Sequence, residues 1–232
     1  MGFGQNLQFL RKMRNRMTQE ELAEKMEVSR QTISKWELEA AFPEMEKAIL
    51  LSQLFSCSLD ELMLGDMVCD NEAYTDIRVE EVSALRYIKY AVISQEPEED
   101  AMNHMKAWAD AFGIENPEII GWDFSCLSQE QVNVYHMHGY EAACILPEAV
   151  KQPELPIMEQ EKQLYSVITI KEPFDAPFVL IPNAYKTLGY YIEINGMKEK
   201  RQKGILPCFE KTYEKNGIVY MDIHIAVEDV HS

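Results

Sequence analysis

Thr18-Gln19-Glu20-Glu21 and Ser58-Leu59-Asp60-Glu61 each set a hydroxyl residue three positions ahead of a glutamate, with apolar residues following. That spacing lets the hydroxyl accept from the glutamate's amide while the carboxylate reaches back, so both points are predicted helix starts. The chain between and before them is punctuated in the same way. Leu7, Leu10 and Met13 recur at helical spacing ahead of Thr18. Leu22, Ala23 and Met26 line one face of the helix that Thr18 opens. Ser29 is placed to cap a third helix running through Glu37, with Ile33 and Trp36 turned inward. Pro43 fits the first turn of a fourth, carrying Ile49, Leu50, Leu54 and Phe55. The last, from Ser58, stops at Gly65. Residues 1–65 therefore predict an all-α domain of five short helices.

Residues 66–75 are polar and without periodicity, as a linker is. The pattern then changes. Residues 79–93 are rich in β-branched and aromatic side chains. Residues 98–112 are helical in pattern, with Met102, Met105, Trp108, Ala109 and Phe112 on one stripe and Gly113 past the end. Strand-like runs follow at 118–124 and 132–146. A second round repeats the first: a strand at 164–170, a helix at 176–192, and strands at 205–213 and 218–227. The rounds close on Ile145-Leu146-Pro147-Glu148 and Ile225-Ala226-Val227-Glu228. Residues 76–232 are thus expected to form an α+β domain of two β-α-β-β repeats, an antiparallel sheet with helices. Two such units side by side place a cleft between helices and sheets, a usual location for ligands.

Charge follows the same division. The formal net charge is −17, yet residues 1–65 hold 8 Lys/Arg and 10 Asp/Glu, a net of −2, leaving −15 for the remainder. Arg11, Lys12, Arg14, Arg16, Arg30 and Lys35 precede Glu39, Glu44, Glu46, Asp60 and Glu61, so a local basic face is available for phosphate. Five cysteines are scattered without a CxxC pair, which favours reduced thiols over a zinc or redox site. His136 and His138 share a strand face by spacing but lack a third ligand, so no metal is expected. No apolar run reaches the ~20 residues of a membrane span. The start lacks both a basic and a hydrophobic leader region, and a cytoplasmic protein without cofactor is expected.

A helix, a tight turn and a second helix read duplex DNA when the second enters the major groove and the first crosses the backbone. Such a turn needs a small residue in the first helix, an apolar one in the turn and an inward aliphatic in the second. Ala23, Val28 and Ile33 supply them. Asn6-Leu7, Leu10-Arg11, Met17-Thr18-Gln19-Glu20-Glu21-Leu22-Ala23 and Val28-Ser29-Arg30-Gln31-Thr32-Ile33-Ser34-Lys35-Trp36-Glu37 together resemble the helix-turn-helix of the XRE/Cro repressor family, over about residues 5–64. The resemblance implies that Arg30, Gln31 and Lys35 read base edges, for which Gln suits adenine and Arg or Lys suit guanine. It also implies phosphate contacts from Thr18, Gln19, Ser29, Thr32 and Ser34. Trp36 and Glu37 are expected to serve the core. Glu27 stands where the family has Gly, so a non-Gly residue is expected at positive φ. Leu38-Glu39 likewise replaces the usual polar-Gly exit.

Residues 76–230 resemble the gyrase-inhibitor-like (GyrI-like) effector-binding domain, also found behind the DNA-binding parts of MerR- and AraC-type regulators. Trp108-Ala109 before Gly113, Gly121-Trp122-Asp123, Gly139-Tyr140-Glu141-Ala142-Ala143-Cys144 and Pro207-Cys208-Phe209-Glu210 carry the likeness. By that resemblance Glu210 anchors a cationic or amphipathic small molecule, with Trp108, Trp122, Tyr140, Tyr165 and Phe209 as walls and Met102 and Met105 as adaptable filler. The resemblances together imply a ligand-responsive transcription regulator, not an enzyme, acting as a homodimer on a double-stranded operator. The alternative is a GyrI-like hydrolase of small electrophiles fused to a DNA-binding module, with Glu210 and Tyr140 as base or nucleophile.

Overall fold

A computed structural model describes residues 2–65, 72–124, 127–150 and 155–229. They form two compact units. One holds the chain up to Thr75, together with Ala176–Glu199 and the segment from Val227; the other holds Asp76–Asp175 and Lys200–Ala226.

The first unit opens with α1 (Phe3–Met13), α2 (Gln19–Met26), α3 (Arg30–Glu37), α4 (Met45–Leu54) and α5 (Leu59–Leu64). The reciprocal capping boxes at Thr18 and Ser58 are both made, and Ser29 caps α3 by accepting from the Thr32 amide. Leu7, Leu10, Leu22, Ala23, Met26, Ile33, Trp36, Leu51, Phe55 and Leu62 close one core. Its burial against water, at roughly 25 cal/mol per Å² of apolar surface, stabilises helices too short to persist alone. Asn6 joins the two ends of this bundle. Its buried amide donates to the carbonyls of Glu61, Leu62 and Gly65, at the end of α5 where helical carbonyls run short of partners.

Three expectations shift here. Glu44 is the N-cap of α4, so Pro43 precedes the helix rather than entering its first turn, and Ile49 and Leu50 face outward while Ala48, Leu51 and Ser52 turn in. Gly65 ends α5 at φ −66°, with no left-handed cap. Arg11 and Arg14 are not part of a solvent-facing basic surface: Arg11 lies under Glu37, and Arg14 donates to the Leu54 carbonyl.

The remaining chain runs β1 (Tyr74–Val82), β2 (Leu85–Ser94), α6 (Pro97–Ala111), β3 (Ile119–Asp123), α7 (Gln129–Asn133), β4 (His138–Ile145), β5 (Met158–Gln160), β6 (Gln163–Lys171), α8 (Pro177–Ile194), β7 (Met197–Glu199), β8 (Cys208–Lys215) and β9 (Ile218–Asp229). The sheet has the order β1-β6-β9-β8-β3-β4-β2-β5, with β7 added on β9. That order reads alike from both ends. β6, β9 and β8 on one side match β2, β4 and β3 on the other, each trio antiparallel, and β8 meets β3 at the centre through Gly121 and Glu210. The helical unit is therefore followed by an α+β domain with an eight-strand sheet.

The predicted strand over 79–93 is two strands. Ser83 and Ala84 break it, and its halves go to opposite sides of the sheet, β1 beside β6 and β2 beside β4. β1 begins at Tyr74, inside the stretch read as a linker, whose residues 66–71 lie outside the described residues. Val132 belongs to α7, which Ser128 and Gln131 open with a capping box; β4 starts only at His138.

α8 packs with the first unit. Ile194 enters the helical core, Tyr190 lies against it, and the Asn195 side-chain amide donates to the Met13 carbonyl at 3.0 Å.

Glu27 ends α2 in the left-handed region at φ 53°, and Glu39 follows α3 at φ 55°. Glu39 has a compensating contact, accepting from the Gly4 amide at 3.1 Å, whereas Glu27 has no side-chain hydrogen bond among the described residues. Glu27→Gly removes a Cβ from a conformation that costs roughly 1–2 kcal/mol and should stabilise the unit by about 0.5–1 kcal/mol after the glycine's extra chain entropy. Urea unfolding of the variant checks this; an unchanged or lowered midpoint means the turn is not strained at Glu27.

Candidate nucleic-acid and effector sites

α3 divides cleanly between inside and outside. Ile33, Trp36 and Glu37 are buried, whereas Arg30, Gln31 and Lys35 are exposed. Positions 31 and 35 are neighbours because four steps bring side chains to a shared face, and Arg30, at the first position of the helix, flanks them. Around this face Ser29 and Thr32 hydroxyls lie 2.9 Å apart, Thr18 is exposed at the start of α2, and Ser34 is half-buried. The expected phosphate contacts therefore flank the expected base contacts, with one qualification. Gln19 donates one amide N–H to Glu37 Oε2 at 2.9 Å, so a single N–H of that amide is left to offer a phosphate.

What orients α3 is an ion pair beneath it. Arg11 donates from Nε to Glu37 Oε1 at 2.6 Å and from its terminal amine to Oε2 at 3.1 Å, and it also reaches the Met17 carbonyl at 2.6 Å. The Glu37 side chain is 2 % exposed and that of Arg11 11 %. One carboxylate thus holds α1, α2 and α3 through Arg11 and Gln19. The sequence reading gave Glu37 a structural task without finding its partner.

In the second unit the period of two decides which candidate effector residues meet. Tyr140, Ala142 and Cys144 project from β4 toward α6, into a core with Ile88, Ala101, Met105 and Ala109; Met102 and Trp108 pack at its margin. Glu210 is on this face, since it pairs across strands with Gly121, which pairs with Ala142. The Tyr140 ring lies across Gly121: a Cβ there would come within 2.3 Å of the Tyr140 hydroxyl oxygen. Only a glycine on β3 lets that ring pass from β4 to β8, where its hydroxyl donates to Glu210 Oε2 at 3.4 Å.

Electrostatically this spot is anionic. Burial, then Glu210, Glu98 and Asp123, push the Tyr140 hydroxyl far above its ordinary value, so it stays protonated and serves as a donor. Partial loss of hydration also raises Glu98 and Asp123; Asp123 adds to the first, while His138 draws the second back down. Trp108 brings a further unmet need, because its buried indole Nε1 has no hydrogen-bond partner among the described residues.

Trp122, Tyr165 and Phe209 are not in that cluster. They sit in a core on the opposite face of the sheet, with Tyr87, Ile120, Ala143 and Ala226. Each is already occupied. Trp122 Nε1 donates to Glu141 Oε2 at 2.8 Å, and Lys89 pairs with the same carboxylate at 2.8 Å. Tyr165 donates to the Leu206 carbonyl at 2.8 Å, its hydroxyl pushed up to about 12 chiefly by burial. Phe209 stacks on His224 at 4.1 Å. Trp122 follows Gly121 and Phe209 precedes Glu210, and adjacent strand residues point to opposite faces. Sequence reasoning also missed the node at Arg78, which joins Asp76, Glu80 and Asp222 beside that second core. Its signal was an arginine between two acids at spacing two.

His136 lies outside β4 at φ 50°, so it does not share a strand face with His138. Among the described residues no group of three His, Cys, Asp or Glu is placed to hold a metal ion, and no helix is long and apolar enough to cross a membrane. Cys57 and Cys144 are each pushed up to about 11, mainly by burial, which keeps them as unreactive thiols.

Residues 7–62 match the helix-turn-helix family model HTH_3, and the amino-terminal segment is a DNA-binding domain of that XRE-like type. Over 66 residues the chain is 47 % identical to the HTH-type transcriptional activator BcrR of Enterococcus faecalis, a match covering 28 % of this chain and 32 % of that protein. The chain thus spans about a third of the length of that curated relative. Among solved structures it is similar to the EcmrR C-terminal domain, at 12 % identity and TM-score 0.47, covering 68 % of this chain and 99 % of that one. It is also similar to SAV2435 bound to tetraphenylphosphonium, at 12 % identity and TM-score 0.40, covering 66 % of this chain and 94 % of that one.

The ion pair under α3 yields a direct test. Glu37→Ala leaves Arg11 buried and unpaired and should cost about 3–5 kcal/mol, whereas Arg11→Met with Glu37→Leu should recover most of it. Denaturant unfolding of the three proteins checks the pattern; a single-variant loss under about 1 kcal/mol, the range of exposed pairs, would remove the pair from its organising role.

Proposed function

We propose that the chain is a ligand-responsive transcription regulator that reads duplex DNA through α3 and binds a cationic or amphipathic small molecule beside Glu210. The observation that carries the first half is the outward set Arg30, Gln31 and Lys35 on a helix whose other side is pinned by Glu37 and Trp36. A long, positively charged or amide-bearing trio on a rigid helix fits the donor and acceptor pattern of the major groove. One small module reads too few bases to be selective, so the protein acts as a homodimer on a palindromic operator, in the cytoplasm where that DNA lies.

Gel-shift with duplexes selected from the protein's own promoter region tests this. Arg30→Ala and Lys35→Ala should each weaken specific binding by about 1–3 kcal/mol, roughly 5- to 150-fold. Unchanged binding by both ends the assignment.

For the second half, Glu210, Tyr140, Met102, Met105 and Trp108 form the supported site; Trp122, Tyr165 and Phe209 buttress the sheet from behind. A part-buried carboxylate beside ring faces suits a cationic group, and the adjacent Trp108 and Tyr140 rings suit an apolar one. Trp108 Nε1, without a partner among the described residues, suits a ligand that also carries an acceptor. A sensor fits this geometry better than a hydrolase. Tyr140 is held protonated and cannot act as base.

Thermal-shift titration with tetraphenylphosphonium as a probe should raise the midpoint of the wild type and give a markedly smaller rise for Glu210→Gln. Equal stabilisation of both proteins would remove Glu210 as the anchor.

A further inference from the structure

Glu20 is an unexpected residue on a surface meant for DNA. It sits in the first turn of α2, the helix that crosses the phosphate backbone in this motif, and its side chain is 61 % exposed. A carboxylate there is repelled by phosphate. Its neighbour Glu21 is accounted for by the Thr18 capping box. Glu20 has no such local task. It approaches Arg30 instead, with Glu20 Oε1 lying 3.1 Å from Arg30 Nε.

We propose that Glu20 is a positioning residue that sets the sequence specificity of Arg30; the inference rests on the DNA-reading function proposed above. Three features carry it. The pair joins α2 to the first residue of α3, the point where a recognition helix meets base edges. The contact is made through Nε, and among the described residues the guanidinium has no other ion pair, so its two terminal amines remain for a bidentate base contact. Arg30 is itself 64 % exposed, so among the described residues the Glu20 carboxylate is the charged group that limits where the fork can point.

An arginine side chain carries about 2 kcal/mol of rotamer entropy, and holding it in a binding-ready orientation reduces what must be lost on docking. As stabilisation of the free protein the exposed pair counts for little. Its effect is on discrimination. With Glu20 in place, Arg30 is kept from drifting onto phosphates, which attract it equally at every sequence. Without Glu20, the same cation becomes a general phosphate contact, and a repulsive charge leaves the interface. Specificity therefore falls as non-specific affinity rises.

The experiment selects randomised duplex DNA with full-length wild type, Arg30→Ala and Glu20→Gln, and measures each protein's affinity for one scrambled duplex at several salt concentrations. The base position whose preference vanishes in Arg30→Ala is the one Arg30 reads. Glu20→Gln should flatten preference at that position about 3- to 10-fold, within the range one bidentate contact supplies. It should also bind the scrambled duplex more tightly with a steeper salt dependence, and unfold at the wild-type temperature. Undiminished preference at that position in Glu20→Gln overturns the proposal while leaving the regulator reading intact. So does a loss spread over all positions with a lowered unfolding temperature. If wild type itself enriches no sequence, the DNA-reading function fails and this inference with it.

Discussion

A single buried carboxylate, Glu37, organises the helix-turn-helix of this molecule. It sits at the last turn of α3, and Arg11 from α1 and Gln19 from α2 both converge on its two oxygens. A buried charge is tolerable only when its hydrogen-bonding capacity is met, so the three helices are locked to one arrangement by the need to satisfy it. Apolar packing alone permits small rotations of a short helix. The fork of Arg11 does not, because a bidentate contact fixes direction as well as distance. The outward pose of Arg30, Gln31 and Lys35 is a consequence of what happens on the opposite side of the same helix.

The helical half was largely legible in the sequence for a physical reason: its determinants are local. Capping at Thr18, Ser29 and Ser58 depends on side chains reaching amides three residues away, and all three contacts are made. The left-handed turn at Glu27 was visible because a residue must occupy that conformation whatever its type. What escaped was long-range. Nothing near Asn6 announces that its amide will meet the end of α5, and nothing near Arg11 distinguishes a buried arginine from a phosphate-binding one. The split at Ser83-Ala84 was hidden by equally strand-like residues on both sides, whose different destinations are set by pairing partners far along the chain.

In the α+β unit the candidate site was half legible. The motif around Glu210 and the motif around Tyr140 do converge, and they do so because Gly121 clears a path across the strand between them. Gly121 itself carries no chemistry, so only the three-dimensional arrangement gives it a role. Trp122, Tyr165 and Phe209 were drawn into the site by their aromatic character, yet parity places them on the other face, where each already has its partner. Counting aromatic residues finds the sheet; counting in twos along each strand finds the side of it.

The threading of the chain has a consequence for how the protein is made. Ile194 and Asn195 complete the packing around α1, yet they are separated from it by Asp76–Asp175, the longer of the two segments of the other unit. During synthesis, α1 to α5 leave the ribosome long before α8 exists. The DNA-reading unit must therefore wait, with its α8 contacts unmade, until the intervening strands have emerged. A nascent chain released early would carry the reading helix without α8, and so without the segment that ties it to translation of the rest.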